Sequence, residues 1–196
     1  MVTSVPIYSR GVFVDFYFYL GINAQPIVKE FAYASLLGEF GEHYIFTPPY
    51  ANTELTSKDQ VTASWCEHNL KTIPWNDGMV PYSQLTSVLQ KMLDHMTASS
   101  NKPLSIFIKG REKAKVLKSM LANLTLYPPN IIEMEDSLQT PSLKKLKSDY
   151  PAIYTFTKCY FHGEGCVLAN VHLLIRWYWE HLYQYSSYTY SDITVG

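Results

Sequence analysis

Cysteine is scarce in this chain. Three among 196 residues cannot build the disulfide framework on which small secreted domains rely, so a reducing, intracellular compartment, cytoplasmic or nuclear, is expected. Charge of one sign is lacking as well. Sixteen Lys and Arg against seventeen Asp and Glu leave a net charge of −1, without the basic excess of an obligate duplex-DNA binder. No apolar run suits a bilayer: the stretch 11–22 is short and carries Asp15, and the apolar C-terminal helix is broken by His172, Arg176, Glu180 and His181. A basic leader with an apolar segment and cleavage site is absent too, so neither a secretory signal nor membrane partners are expected.

Aromatic residues are plentiful at 15%, including 16 tyrosines, many of them in the final stretch WYWEHLYQYSSYTYSDITVG. The length suits one sizeable core. One domain over residues 1–185 is expected, with an irregular tail over 186–196.

Period-two alternation and β-branched or aromatic runs predict strands at 11–20, 27–37, 43–47, 103–109 and 130–133. Helical spacing predicts helices at 57–69, 82–96 and 111–124, a short basic helix at 141–147, and a long apolar one from about residue 166. Between the first two helices, KTIPWNDGMVPY reads as a loop. Three antiparallel strands in a meander, then helix, strand, helix, strand and helices, is the order of an RNase H-like domain. The expected fold is therefore α/β, with a five-stranded mixed sheet flanked by helices and its last two strands parallel to the first.

RNase H-like exonucleases use carboxylates to hold two Mg²⁺ ions. Here strand one offers Asp15, but Tyr17 stands where a Glu belongs. After strand four the motif position falls near Lys113, and at the last helix stands Cys166. Thiolate suits Mg²⁺ poorly, so no two-metal nuclease activity is expected. Asp15 reads equally well as a partly buried strand residue bonded to backbone or to a neighbouring cation. Softer ligands cluster instead in KCYFHGEGCVLAN, where Cys159, His162 and Cys166 fall within eight residues of a turn entering a helix. The plain alternative makes both cysteines small core residues and His162 a surface residue.

These residues resemble the MAEL domain of the Maelstrom proteins, an RNase H-like fold with a Glu-His-His-Cys constellation in place of the carboxylates. The likeness rests on Glu30 in VKEFAYASLL, His68 in HNLKTIP, Cys159 and His162 in CYFH, and Cys166 in CVLAN. The chain also looks like orphan arthropod proteins that share FTPPY, IPW-DG and PSLK-LK, for which no function is established. The Maelstrom likeness implies a structural zinc held by Glu30, His68, His162 and Cys166, with Cys159 and Cys66 in reserve. In an RNase H-like sheet these side chains could converge, and a carboxylate, two imidazoles and a thiolate all suit tetrahedral zinc. His43 and His95 are expected to be solvated.

The likeness further implies single-stranded RNA binding or a role in a small-RNA, transposon-silencing type of pathway, with weak single-strand endonuclease activity as a lesser option. Phosphate contacts are expected from Lys109, Arg111, Lys113, Lys115, Lys118, Lys144, Lys145 and Lys147, unless these simply form solvated helix faces. Reversing the charge of Lys113 and Lys115 should then weaken RNA binding without changing stability. The competing reading is a protein-interaction scaffold that docks partners through the aromatic C-terminal segment or the IPWNDGMVPY loop.

Overall fold

Alternation sets the central strand. In β1 (Gly11–Leu20), Val12, Val14 and Phe16 face one side and Phe13, Asp15 and Tyr19 the other, and all six are buried, as an interior strand covered on both faces requires. The computed structural model describes residues 11–70, 72–98, 105–161 and 165–183. In it β1 pairs antiparallel with β2 (Pro26–Ser35) and parallel with β5 (Ser105–Ile108). Outside these lie β3 (Gly41–Thr47) and β4 (Val80–Pro81) on one side and β6 (Asn130–Glu133) on the other, in the order β4-β3-β2-β1-β5-β6. The meander and the two parallel strands match the sequence reading. The sheet has six strands, however, where five were expected; β4 is two residues long and ends in proline, too short to show a period.

The two sheet faces carry different helices. Beneath one face, α2 (Leu85–Ala98) and α3 (Arg111–Leu121) bury Leu89, Met92, Leu93 and Leu117 against Val14, Phe16 and Phe31. The other face holds α4 (Met134–Leu138), α5 (Leu143–Asp149) and α7 (Val167–Tyr178). β2 is built for this asymmetry. Its large Phe31 and Tyr33 point to the α2 side, whereas Ala32 and Ala34 point to the α7 side. Small residues beneath a helix let its axis approach the sheet, and this brings the first turn of α7 close to β1 and β2. Between α5 and α7 stands α6 (Pro151–Thr157), a helix the sequence did not announce. It has no buried residue and so no apolar stripe to betray it; Pro151 at its first turn is its one start signal. No helix of the described residues is long and apolar enough to cross a membrane. The expected irregular tail lies outside them.

One irregularity shapes the far end of the sheet. Tyr17 pairs with Glu30 but Phe18 pairs with Val28, so Lys29 is an extra residue bulged out of β2. Its side chain is fully buried, and its ammonium donates to the main-chain carbonyls of Phe46 (3.0 Å), Trp75 (2.8 Å) and Asp77. The Pro74–Met79 loop is thereby tied to the sheet, and Met79 N adds a bond to Ile45 O at 2.9 Å. Gly78 lies so close to β3 that a Cβ there would stand 2.3 Å from Thr47 N. Trp75, at 1% exposure, fills the cluster formed by Tyr19, Ile27, Leu55 and Ala63 under α1 (Ser57–Asn69). The tryptophan end of IPWNDGMVPY is therefore core, which removes it from the docking surface expected of that loop.

Candidate metal centre

Asp15 lies at 1% exposure on the α7 side of β1, and both its carboxylate oxygens are taken. Lys113, from the first turn of α3, reaches Oδ1 at 2.5 Å, and Asn170 on α7 donates Nδ2–H to Oδ2 at 2.8 Å. The position of the last helix that faces Asp15 is thus Asn170, not Cys166 as the spacing suggested. Cys166 is the N-cap of α7 and Asn170 lies one turn further on the same face. A cation and an amide stand where carboxylates would gather Mg²⁺, which fits the expectation for Asp15 and Lys113. Oδ1 of Asn170 is buried with no hydrogen-bond partner among the described residues.

This pairing has a measurable consequence. Lys113→Met leaves a buried carboxylate without its counter-charge and is expected to destabilise the chain by roughly 3 kcal/mol, the lower end for breaking a buried pair, because the lysine is partly exposed. Lys113 is therefore the exception to stability-neutral charge reversal. An unchanged urea midpoint in Lys113→Met would show that the pair contributes nothing.

One strand over, a softer cluster forms. Glu30, at 2% exposure, accepts from His43 Nε2 at 2.7 Å. Glu30, His43 and Cys159 each offer a ligand atom, and these atoms lie within 4.8 Å of one another. Zn²⁺ ligands at ~2.0–2.3 Å sit about 3.3–3.8 Å apart at the corners of a tetrahedron, so the three need only modest adjustment, with the Glu30–His43 contact opening to admit the metal. Cys166 adjoins them. Its buried Sγ accepts the Cys159 backbone N–H at 3.2 Å, and burial pushes its thiol up to about 12, with the negative charge of Glu30 and Cys159 adding to that rise. A thiol so disfavoured as thiolate ionises readily only beside a cation. The donor set therefore fits a borderline-soft metal such as zinc and suits a hard one poorly.

Among the sequence-predicted ligands, the structure brings together Glu30, Cys159 and Cys166. His68 is exposed at the end of α1, where its Nδ1 meets Ser64 O at 2.8 Å. Cys66 bonds the Tyr17 hydroxyl, and burial together with this contact raises that phenol. His162 lies outside the described residues. His43, expected to be solvated, is half-buried and joins the cluster instead. Register explains it: β3 alternates, so His43 shares a face with Ile45, and Ile45 pairs with Glu30, a pairing the sequence alone does not give. His95 is likewise no free surface residue, since it packs against the rings of Tyr33 and Phe40.

The basic residues are largely engaged. Lys109 pairs with Glu135, Arg111 binds Asp136 through two bonds of 2.7 Å, Lys115 meets Glu112, and Lys145 meets Asp149. An open groove of about 610 Å³ runs past the C-terminal ends of β1, β5 and β6. Its lining holds two cations, Arg111 and Lys113, against four anions, Glu112, Glu133, Glu135 and Asp136, a balance of −2.

A solved structure described as "3'-end specific recognition of histone mRNA stem-loop by 3'-exonuclease" superposes with a TM-score of 0.52, covering 92% of this chain and 84% of that one at 14% identity. The fold is RNase H-like. No family model matches the chain, and no curated protein does. At 14% identity the neighbour shares its fold with this chain.

Proposed function

We propose that this chain is an RNase H-like domain without two-metal nuclease chemistry, built around a structural zinc site and binding single-stranded RNA. The observation that carries the reading is the exchange of centres. Asp15 is neutralised by Lys113 and tied to Asn170, whereas Glu30, His43 and Cys159 converge one strand away with Cys166 beside them. When bound there, zinc would supply a fixed cross-link between β2, β3 and the segment leading into α7. With four protein ligands it keeps no open position for water, so its role is structural. The Maelstrom likeness, in which Glu, His and Cys replace the carboxylates, points the same way and favours a small-RNA pathway. The RNA part of the reading draws on that likeness and on a fold shared with an RNA-recognising neighbour.

Two assays test it together. With Mg²⁺ or Mn²⁺ the protein is expected to leave a 3′-labelled RNA strand intact, and efficient degradation that depends on Asp15 would overturn the reading. Anisotropy titration at two salt concentrations should reveal micromolar RNA binding whose log K falls by roughly 0.7 per phosphate neutralised. A protein-docking role has one observation in its favour. The outer face of α1 exposes Val61 and Trp65, at 70% and 56%, while Ala63 is its one buried residue. Absence of RNA binding at low salt would favour that scaffold reading.

A further inference from the structure

Positive charge in this chain is spread unevenly. Residues 143–161 carry Lys144, Lys145, Lys147 and Lys158 against Asp149 alone, 4 − 1 = +3 in a chain whose total is −1. Lys145 is occupied by Asp149 at 2.5 Å. Lys144, Lys147 and Lys158 have no carboxylate partner among the described residues, although Lys147 lies over the Tyr154 ring at 4.8 Å and so joins the surfaces of α5 and α6. The same segment holds three of the most exposed aromatic rings. Phe156 is 86% exposed, Tyr160 98% and Phe161 53%, and the last two meet edge to face with centroids 6.1 Å apart. Rings left in water within a segment that also carries unpaired cations invite a ligand that has both flat apolar faces and negative charge.

Elsewhere among the described residues the basic side chains offer a polyanion less. The cations of α3 are mostly paired, and the large groove has a lining of −2. An acidic peptide would satisfy the lysines but leave the rings without partners, and a duplex keeps its bases stacked inside. A single strand presents phosphates and base faces together. We propose that residues 143–161 form a single-stranded nucleic-acid face, with Phe156, Tyr160 and Phe161 stacking on bases and Lys144, Lys147 and Lys158 meeting phosphates. This rests on the single-strand reading above and assigns it to residues that do not line the groove.

The test is an anisotropy titration of the full chain with labelled oligouridylate and oligothymidylate of about 12 nucleotides, a length within the range one compact module covers, and a hairpin duplex as comparator. Phe156→Ala with Tyr160→Ala is expected to weaken single-strand binding by at least about 30-fold, because each stacked ring contributes about 5- to 150-fold. Lys144→Glu with Lys158→Glu should lower the salt slope by roughly 1.4, two phosphates at about 0.7 each. Lys115→Glu with Lys118→Glu on α3 should change affinity by less than about twofold, since their carboxylate-paired or solvated face lies outside the proposed surface. All the side chains changed are exposed or half-buried, so melting temperatures should hold. Equal affinity for both single strands supports recognition through bases and phosphates, and preference for the ribose strand supports it with an added 2′-hydroxyl contact. Wild-type binding that survives both face variants, or falls equally in the α3 variant, overturns the assignment while leaving the single-strand reading intact. Duplex bound as tightly as single strand overturns the stacking. Failure of the wild type to bind any strand at low salt overturns the reading on which the assignment rests.

Discussion

One zinc per chain is expected in the purified protein, and chelation is expected to lower its melting temperature by more than about 10 °C. The size follows from linkage: a metal that binds the folded chain alone stabilises it in proportion to the logarithm of one plus its free concentration over Kd, and in a chain of this length each kcal/mol shifts melting by about 2–4 °C. Cys159→Ser and His43→Ala should each weaken zinc binding by more than about 100-fold, because even losing an outer hydrogen-bond partner of a ligand costs 10–100-fold. Affinity should rise with pH, since the Cys166 thiol, pushed up to about 12 by burial, must give up its proton to the metal. His68→Ala is the internal control, for that imidazole faces solvent and its own helix. Substoichiometric metal by mass spectrometry, in a protein that melts identically in chelator, would remove the zinc site. Because Cys159 sits between Lys158 and Tyr160, loss of metal should also weaken RNA binding.

Lys29→Met should destabilise the fold by about 3–5 kcal/mol, the range for removing one partner of a buried charged contact. Two effects oppose each other here. Burying an ammonium is costly, and exchanging a whole buried ion pair for apolar residues is often neutral. The partners of Lys29, however, are main-chain carbonyls of Phe46, Trp75 and Asp77, which no side-chain substitution removes, so they stay unpaired. Loss therefore outweighs relief. Amides of the Pro74–Met79 loop should exchange faster in the variant, and a neutral or positive change in urea midpoint would show that the carbonyls do not depend on the lysine.

The same lysine predicts a pH dependence of definite sign. Burial pushes Lys29 down to about 8 from its ordinary 10.5, with Asp77 and Glu67 pulling the other way. Above pH 8 the folded chain sheds a proton that the unfolded chain keeps, so the unfolded state binds more protons and stability rises with pH, by at most about 1.4 kcal/mol per unit. The gain is confined to pH 8–10, and from about pH 9, where an unfolded thiol ionises, the buried Cys166 thiol offsets it in the metal-free chain. Beyond that, buried Tyr19 and Tyr33, whose phenols are raised by burial, hold protons the unfolded chain has lost and reverse the slope. Lys29→Met should lack the rise.

The sequence made legible what depends on periodicity. Strands with strict alternation and helices with a clear apolar stripe, such as α2, announced themselves, and their order led to the sheet. The partners inside the site were harder to see because they depend on register and on depth within a helix. His43 joins Glu30 only once Ile45 is known to pair with that glutamate, and Asn170 displaces Cys166 from Asp15 by a single helical turn. Lys29 and Glu30 looked like two charges in the middle of a strand. A bulge that gives each its own environment leaves no trace in composition.

The borders of the sheet have a consequence of their own. Among the described residues it ends on one side in a two-residue strand closed by Pro81 and on the other in four residues running directly into α4. Both terminal strands are short and offer a foreign strand little to pair with, but β4 covers only Phe46 and Thr47 of β3, so residues 41–44 have no strand neighbour on their outer side among the described residues. Strand addition, the usual route from an open β-edge to fibrils, is limited at the two terminal strands by their length, and the outer edge of β3 is the place where a foreign strand could still pair.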